Sequence, residues 1–428
     1  MLDRPVPFGP FFYPAKNCIP HQAVPVAAAE PYFSCRCFLF LSYDFVGDQD
    51  MNILVDAIPM TGLLTGISRY LRNLYGAIDR MKQVQVSYFN GSRSVESMPP
   101  LADSEKWQQA TSAARTLPDP VVFAMRAARW LTYEHQLNRQ YKKKAFDVYH
   151  ETAFTPAKFS RTPTVYSVYD LSLRRYRETH PRERVWLFEY FIRTRLRYAS
   201  HILTISEFIR REIIDEFNVP PSMVTAVPLA PDPLFSICPA DDVKTVRSKY
   251  NLPASYLLFV SSLEPRKNID LLIEALEKAD TDIPLVLVGW QAWGEKRWLE
   301  KIKQIDMKNR VYLIGHVPDD DLRMIYNGAQ ALVYPSLYEG FGLPIVEAMA
   351  CGCPVICSDT ASMPEVAGKA AVLIDPADSD DLARAIETLV YDSEFRARLI
   401  QEGFTRAAGF TWEQTARQTL DLFKSVAK

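Results

Sequence analysis

From residue 51 onward, short apolar runs alternate with longer amphipathic stretches. The runs predict strands over 52–56, 83–89, 147–150, 164–169, 201–205 and 224–228, with helices over 67–80, 182–198 and 207–217 between them. The pattern breaks at "PLAPDPLFSICPADD" (228–242) and then restarts. The second series has strands over 256–261, 284–288, 311–314, 331–334, 354–357 and 371–374, and helices over 269–279, 320–327, 344–350 and 379–391. Continuous apolar strands that alternate with helices build parallel sheets covered on both faces. The prediction is therefore an α/β chain of two doubly wound domains, over 51–232 and 233–410, with a cleft between them. The closing stretch "FTWEQTARQTLDLFKSV" (410–426) has the spacing of an amphipathic helix. No internal repeat at a solenoid period is present.

Residues 1–50 carry scattered prolines and no useful periodicity, and are expected to be a disordered extension or a misassigned start, with translation beginning at Met51. A real but loosely packed extension is the alternative. The segment lacks the basic, apolar and small-residue regions of a secretory signal. With 428 residues, 48% hydrophobic and 23% charged, the chain has the composition of a globular protein of two or three domains. No run reaches the roughly 18 apolar residues of a membrane span. The seven cysteines, Cys18, Cys35, Cys37, Cys238, Cys351, Cys353 and Cys357, are odd in number and unevenly clustered, which predicts a reduced, cytoplasmic setting. Cys351 and Cys353 lack further ligands at zinc-site spacing and read as small buried thiols.

The formal charge is only −2, which gives no reason to expect nucleic acid, but its distribution is uneven. Residues 51–235 hold 25 Lys/Arg against 18 Asp/Glu, and residues 236–428 hold 21 against 28. The basic excess includes "YKKK" (141–144), "LRRYR" (173–177) and "IRTRLR" (192–197). Such a face predicts attraction to anionic lipid or phosphorylated acceptors, hence peripheral contact with the inner membrane face. Solvated helix surfaces are the other reading.

Ligands of open α/β sheets collect at the carboxyl ends of strands, beside helix N-termini. Arg266 and Lys267 sit in such a loop, "LEPRKN", where side-chain cations and free N–H groups converge on an anion such as a diphosphate. A second loop, "PSLYEGFGLPIVEAMACGCPV" (335–355), places Glu339 and Glu347 around a Gly-Phe-Gly-Leu-Pro turn. Eight helical residues rise about 12 Å. Although the turn shortens this, the two carboxylates are not expected to reach the roughly 5–9.5 Å separation of a glycosidase pair. They are expected to do different jobs, unless Glu339 merely caps the helix and Glu347 is solvated. A third loop, "ILVDAIPMTGLLTGISRY", passes through Gly62 and Gly66 into a helix and admits a phosphate or sugar against bare backbone. Tyr169–Asp170 and Ser206–Glu207 end two further strands on the same side. "PDDDL" (318–322) reads as an Asp-capped helix start rather than a metal cluster. The histidines show no metal-ligand spacing, and no metal site is expected.

Taken together, "SSLEPRKNIDLLIEAL", "VYLIGHVPDDDLRMIYNGAQALVYPSLYEGFGLPIVEAMACGCPVICSD" and "MPEVAGKAAVLIDPAD" resemble the retaining nucleotide-sugar glycosyltransferases of family 4, also called group 1. The resemblance runs from about residue 51 to 428 and is tightest in the second half. It implies a GT-B fold, two Rossmann-like domains, with the final segment 411–428 packing back on the first. By resemblance, Glu339 contacts the donor sugar at the reacting face and Glu347 holds the nucleotide ribose. The turn Gly340, Phe341, Gly342 and Leu343 then holds sugar hydroxyls and the distal phosphate, while Arg266 and Lys267 neutralise the departing diphosphate. Gly315, His316 and Val317 fall where relatives contact the nucleobase, and Gly66 falls on the glycine-rich acceptor or phosphate loop. Many relatives have His-Asp where this chain has Tyr169-Asp170; Tyr169 is assigned a hydrogen bond to the sugar, with His150 a weaker substitute.

The implied activity moves a hexose from a GDP- or UDP-linked donor to a hydroxyl of a glycan or lipid-linked acceptor, with retention and without a metal or other cofactor. Mannose is a common donor sugar in that family. Two other readings share the motif set: a nucleotide-sugar epimerase of the same fold, and a non-catalytic sugar-nucleotide binding protein.

Overall fold

In the computed structural model, residues 51–62, 65–101, 117–141, 144–159, 161–290, 297–303 and 309–427 are described. The expected extension, 1–50, lies outside them. The apolar runs form two separate sheets. In the first, β1 (Met51–Asp56) lies between β2 (Val84–Phe89) and β4 (Val148–Glu151), followed by β5 (Thr164–Val168), β6 (His201–Thr204) and β7 (Val224–Ala226). These strands are parallel, and the two-residue β3 (Ser94–Val95) adds antiparallel to the outer edge of β2. Strand β5 is buried at all five positions, as strands covered on both faces must be.

The second sheet is wholly parallel. Its order is β10 (Val311–Gly315), β9 (Leu285–Val288), β8 (Leu257–Val260), β11 (Ala331–Tyr334), β12 (Val355–Ser358) and β13 (Val372–Ile374). Both sheets, with their helices, belong to one compact unit. We call them the first and second lobes.

Several helices end where a left-handed residue stops propagation. Lys82 terminates Gly66–Met81 with φ 53°, and Asn218 terminates Glu207–Phe217 with φ 51°. The start of Asp319–Gly328 departs from the expectation for "PDDDL": Pro318 occupies the cap position and no side chain caps the helix. Asp319 and Asp321 reach outward instead, to Arg69 and to Lys249 and Tyr250. Among the described residues, no group of three or more His, Cys, Asp or Glu is arranged to hold a metal.

The chain crosses between the lobes twice. After β7, residues 227–239 lead into the helix Ala240–Lys249, and near the end Trp412–Ala427 returns to pack on Gly66–Met81, β4 and β5. Trp412 Nε1 donates to the Pro231 carbonyl at 2.9 Å and Thr415 Oγ1 to that of Pro228 at 2.8 Å. The returning helix thus holds the outgoing connection. One apolar cluster runs from Tyr70 and Tyr169 of the first lobe to Phe341 and Ile345 of the second, with Trp412 among its members.

Candidate active site

Strand β8 delivers the chain into a tight 3-10 turn, Pro265–Lys267, after which Asn268 turns left-handed at φ 59° and the helix Ile269–Lys278 begins. The turn aims Arg266 and Lys267 at Glu339, which follows β11 in the neighbouring loop. Lys267 Nζ reaches Glu339 Oε1, Arg266 Nη1 lies 3.3 Å from Oε2, and Tyr334 donates its hydroxyl to Oε1 at 2.8 Å. Arg266 also pairs with Glu264 at 2.7 Å and donates to the Tyr338 carbonyl. All four charged side chains are almost fully buried. Burial alone would raise the Glu339 carboxyl, but Lys267 and then Arg266 outweigh it and hold it at about 2. Glu339 is therefore an anion under ordinary conditions. Arg266 Nε is buried without a hydrogen-bond partner, a donor suited to a further acceptor such as a phosphate oxygen.

The glycine turn is shaped by contact with the opposite lobe. A Cβ at Gly340 would stand 2.0 Å from the Tyr169 carbonyl oxygen, so only glycine fits there. Ser206 donates to the Gly340 carbonyl at 2.7 Å, and Ser362 donates to those of Glu339 and Phe341 at 2.9 and 3.1 Å. Gly342, at φ 96°, starts the helix Leu343–Ala350, with Pro344 in its first turn and Phe341 packed edge-on against Phe410. No side chain caps this helix, so Glu339 is not its cap.

Glu347 is not solvated either. It is 4% exposed, with Oε1 3.3 Å from Arg69 Nη1 and Oε2 accepting from the Tyr326 hydroxyl at 3.3 Å. Burial raises its carboxyl, Arg69 opposes this, and Asp319 reinforces it. Gly315, the last residue of β10, accepts from the Gly289 amide at 2.8 Å; His316 is exposed, while Val317 is turned into the core. Asp319, two residues on, is bonded to the same Arg69 as Glu347, so this loop and Glu347 share one corner of the cleft.

On the first lobe, Gly66 opens the helix Gly66–Met81 behind its Thr65 cap and is exposed, with open space where a side chain would stand. Asp170 holds its own loop by accepting from the Ser172 amide at 2.8 Å, and its charge acts on Arg266. Tyr169 is brought against the glycine turn through its backbone. Its hydroxyl donates to the Thr152 carbonyl at 2.9 Å, and its ring lies edge-on to Tyr70 and Phe154. His150 is wholly buried between Tyr75 and Ser167, with Phe423 against its ring. Cys351 and Cys353 are free buried thiols, and burial pushes Cys353 up to about 12.

Residues 64–233 match the family described as Glycosyltransferase Family 4, and residues 243–406 match Glycosyl transferases group 1. O-antigen chain mannosyltransferase B of Escherichia coli is 32% identical over 386 residues, 87% of this chain and 100% of that protein. The chain belongs to the group 1 glycosyltransferases. Another relative, the MMP alpha-(1->4)-mannosyltransferase of Mycolicibacterium hassiacum, is 28% identical over 73% of this chain and 76% of its own length. Sucrose-phosphate synthase from Thermosynechococcus elongatus superposes with a TM-score of 0.67 at 19% identity, over 88% of this glycosyltransferase and 99% of that chain. Anabaena HepE in complex with UDP and glucose gives 0.63 at 18%, over 88% and 100%. At such identities these structures speak to the fold alone, which is GT-B.

Several residues of this glycosyltransferase join the site without having been singled out in the sequence. Tyr338 accepts from the Leu171 amide at 3.0 Å and donates to Glu212, tying the residue before Glu339 to the first lobe. Glu365 of the second lobe accepts from the Glu207 and Phe208 amides at 2.8 and 2.9 Å, at the start of a first-lobe helix. His180 lies in the field of Glu264, Asp170 and Arg266, and burial lowers its imidazole. The short run "RYRETH" (175–180) carried no spacing signal for it.

Proposed function

We propose that this glycosyltransferase moves mannose from a GDP- or UDP-linked donor to a hydroxyl of a glycan or lipid-linked acceptor, with the anomeric configuration retained. The observation that carries this reading is the convergence of Lys267 and Arg266 on Glu339 beside a helix-opening glycine turn. The mannosyltransferase names of the curated relatives support the choice of sugar.

In this mechanism the donor diphosphate lies against Arg266, Lys267 and the N–H groups of the turn. The acceptor hydroxyl approaches from the Tyr169–Asp170 side and attacks the anomeric carbon on the face from which the phosphate departs. The carbon–oxygen bond to phosphate breaks, and that phosphate oxygen takes the acceptor's proton. Glu339, held at about 2, is too weak a base for that proton and instead orients sugar hydroxyls and steadies the positive charge developing on the ring. The two cations meet the charge on the leaving group, so activity is expected to persist in EDTA.

The reading also places the chain in the cytoplasm, with peripheral membrane contact through the first lobe. Trp186 and Tyr190 are exposed on the helix Arg182–Arg195, beside the exposed Arg182 and Arg193. Among the described residues no helix is long and apolar enough to cross a membrane.

A thermal-shift screen with UDP, GDP, ADP and their sugars tests the donor, followed by acceptor-dependent release of the nucleotide diphosphate and NMR of the product anomer. Lys267→Ala is expected to lower turnover by about 10² or more. Indifference to every nucleotide would sink the donor reading, acceptor-independent isomerisation would favour an epimerase, and an inverted product would sink the mechanism.

A further inference from the structure

The helix Gly66–Met81 sends one side chain across the cleft. Arg69 lies between two carboxylates of the second lobe, with Nη2 2.7 Å from Asp319 and Nη1 3.3 Å from Glu347. Its guanidinium stands 5.5 Å from the centre of the Phe235 ring, which lies in the connection between the lobes and packs edge-on against Tyr326. Tyr326 is the residue that donates to the other oxygen of Glu347. The carboxylate assigned to the nucleotide ribose therefore takes one partner from each lobe.

We propose that Arg69 is a positioning residue of the donor site, acting through Glu347: the first lobe supplies the cation that fixes this carboxylate, tying its grip on the ribose hydroxyls to closure. The inference rests on the donor-site reading above. The groups that face Glu347 are Arg69 from the first lobe, Asp319 and Tyr326 from the helix Asp319–Gly328, Asp232 from the connection, and Cys351 at the end of its own helix. Arg69 is the cation among them. Burial, Asp319 and Asp232 all favour the protonated carboxyl. Without Arg69 the carboxyl therefore takes up its proton at higher pH and loses acceptor capacity. Asp319, at 2.7 Å, anchors the guanidinium from the opposite side and leaves Nη1 directed at Glu347.

Isothermal titration of the full chain with GDP and with UDP, at pH 7.5 and pH 5.5, compares wild type with Arg69→Met, Arg69→Lys and Glu347→Gln. Arg69→Met is expected to weaken binding of the preferred nucleotide about tenfold at pH 7.5, and by more at pH 5.5. Arg69→Lys should restore most of the affinity, and in a Glu347→Gln background the Arg69 substitution should have little effect. In turnover assays the donor KM rises while kcat stays within about threefold. Equal affinities for wild type and Arg69→Met at both pH values would overturn the inference, as would a loss that neither Arg69→Lys nor the Glu347→Gln background alters. Wild type that binds neither nucleotide would instead sink the donor-site reading itself.

Discussion

The imidazole of His150 hydrogen-bonds through both ring nitrogens, to Tyr75 and to Ser167, in a wholly buried position that lowers its pKa to about 3. A histidine in the unfolded chain takes up a proton below about pH 6.5, whereas this one does not. Its folded pKa is the depressed one, so the unfolded state binds more protons and stability falls as the pH drops from about 6.5 toward 3, by up to about 1.4 kcal/mol per pH unit. His150→Gln is expected to flatten this part of the stability profile, measured by urea unfolding between pH 7 and 5; an unchanged slope would contradict it. Each site residue is likewise defined by its partners. Glu339 stays ionised at a buried position because two cations from one short turn reach it. Lys267 and Glu339 were legible in the sequence because each sits in a strand-to-helix loop with a clear motif. Arg69 was not, because its partners lie 250 and 278 positions away and nothing local distinguishes it from a solvated helix cation.

Elements whose burial follows from their own pattern could be placed within a residue or two. Strand β11 spans the predicted 331–334, and the helices Glu207–Phe217 and Ser379–Tyr391 match their predicted limits. The 23-residue helix Asp119–Tyr141 escaped because its outer face exposes Val121, Met125 and Leu131, which blurs the apolar stripe that marks a helix. The helix Ala240–Lys249, which starts at the end of the break, escaped because its charged turns bury only Val246. The glycine turn was visible as a loop between a strand and a helix, but the sequence did not show that its glycine is imposed by the other lobe. Gly340→Ala tests that constraint. Its Cβ would collide with the Tyr169 carbonyl of the other lobe, so the lobes are expected to be held apart, with kcat falling by about 10² or more while the melting temperature shifts by only a few degrees. Near-normal turnover would show that catalysis does not need this contact.

At the scale of the molecule, the lobes are joined through charge, backbone and apolar contacts together. Trp412 stands at the junction: it is 3% exposed, close to the Tyr70 ring at 6.1 Å, and bonded to Pro231. Trp412→Ala should destabilise the chain by about 3–5 kcal/mol and also lower kcat, since it loosens the crossing as well as the core; thermal unfolding and steady-state rates measure the two effects. A stability loss with kcat intact would confine its role to packing. The pairing of the two crossings has a mechanical consequence. A single connection would leave the lobes free to swivel and twist, like a ball joint. Two connections bolted together by the Trp412 and Thr415 hydrogen bonds are expected to resist swivelling and twisting, as the pin of a door hinge does, and to favour one rotation. Closure about such a pin is expected to bring Arg69 to Glu347 and the Tyr169 carbonyl to Gly340, so that the two lobes meet in the same register each time.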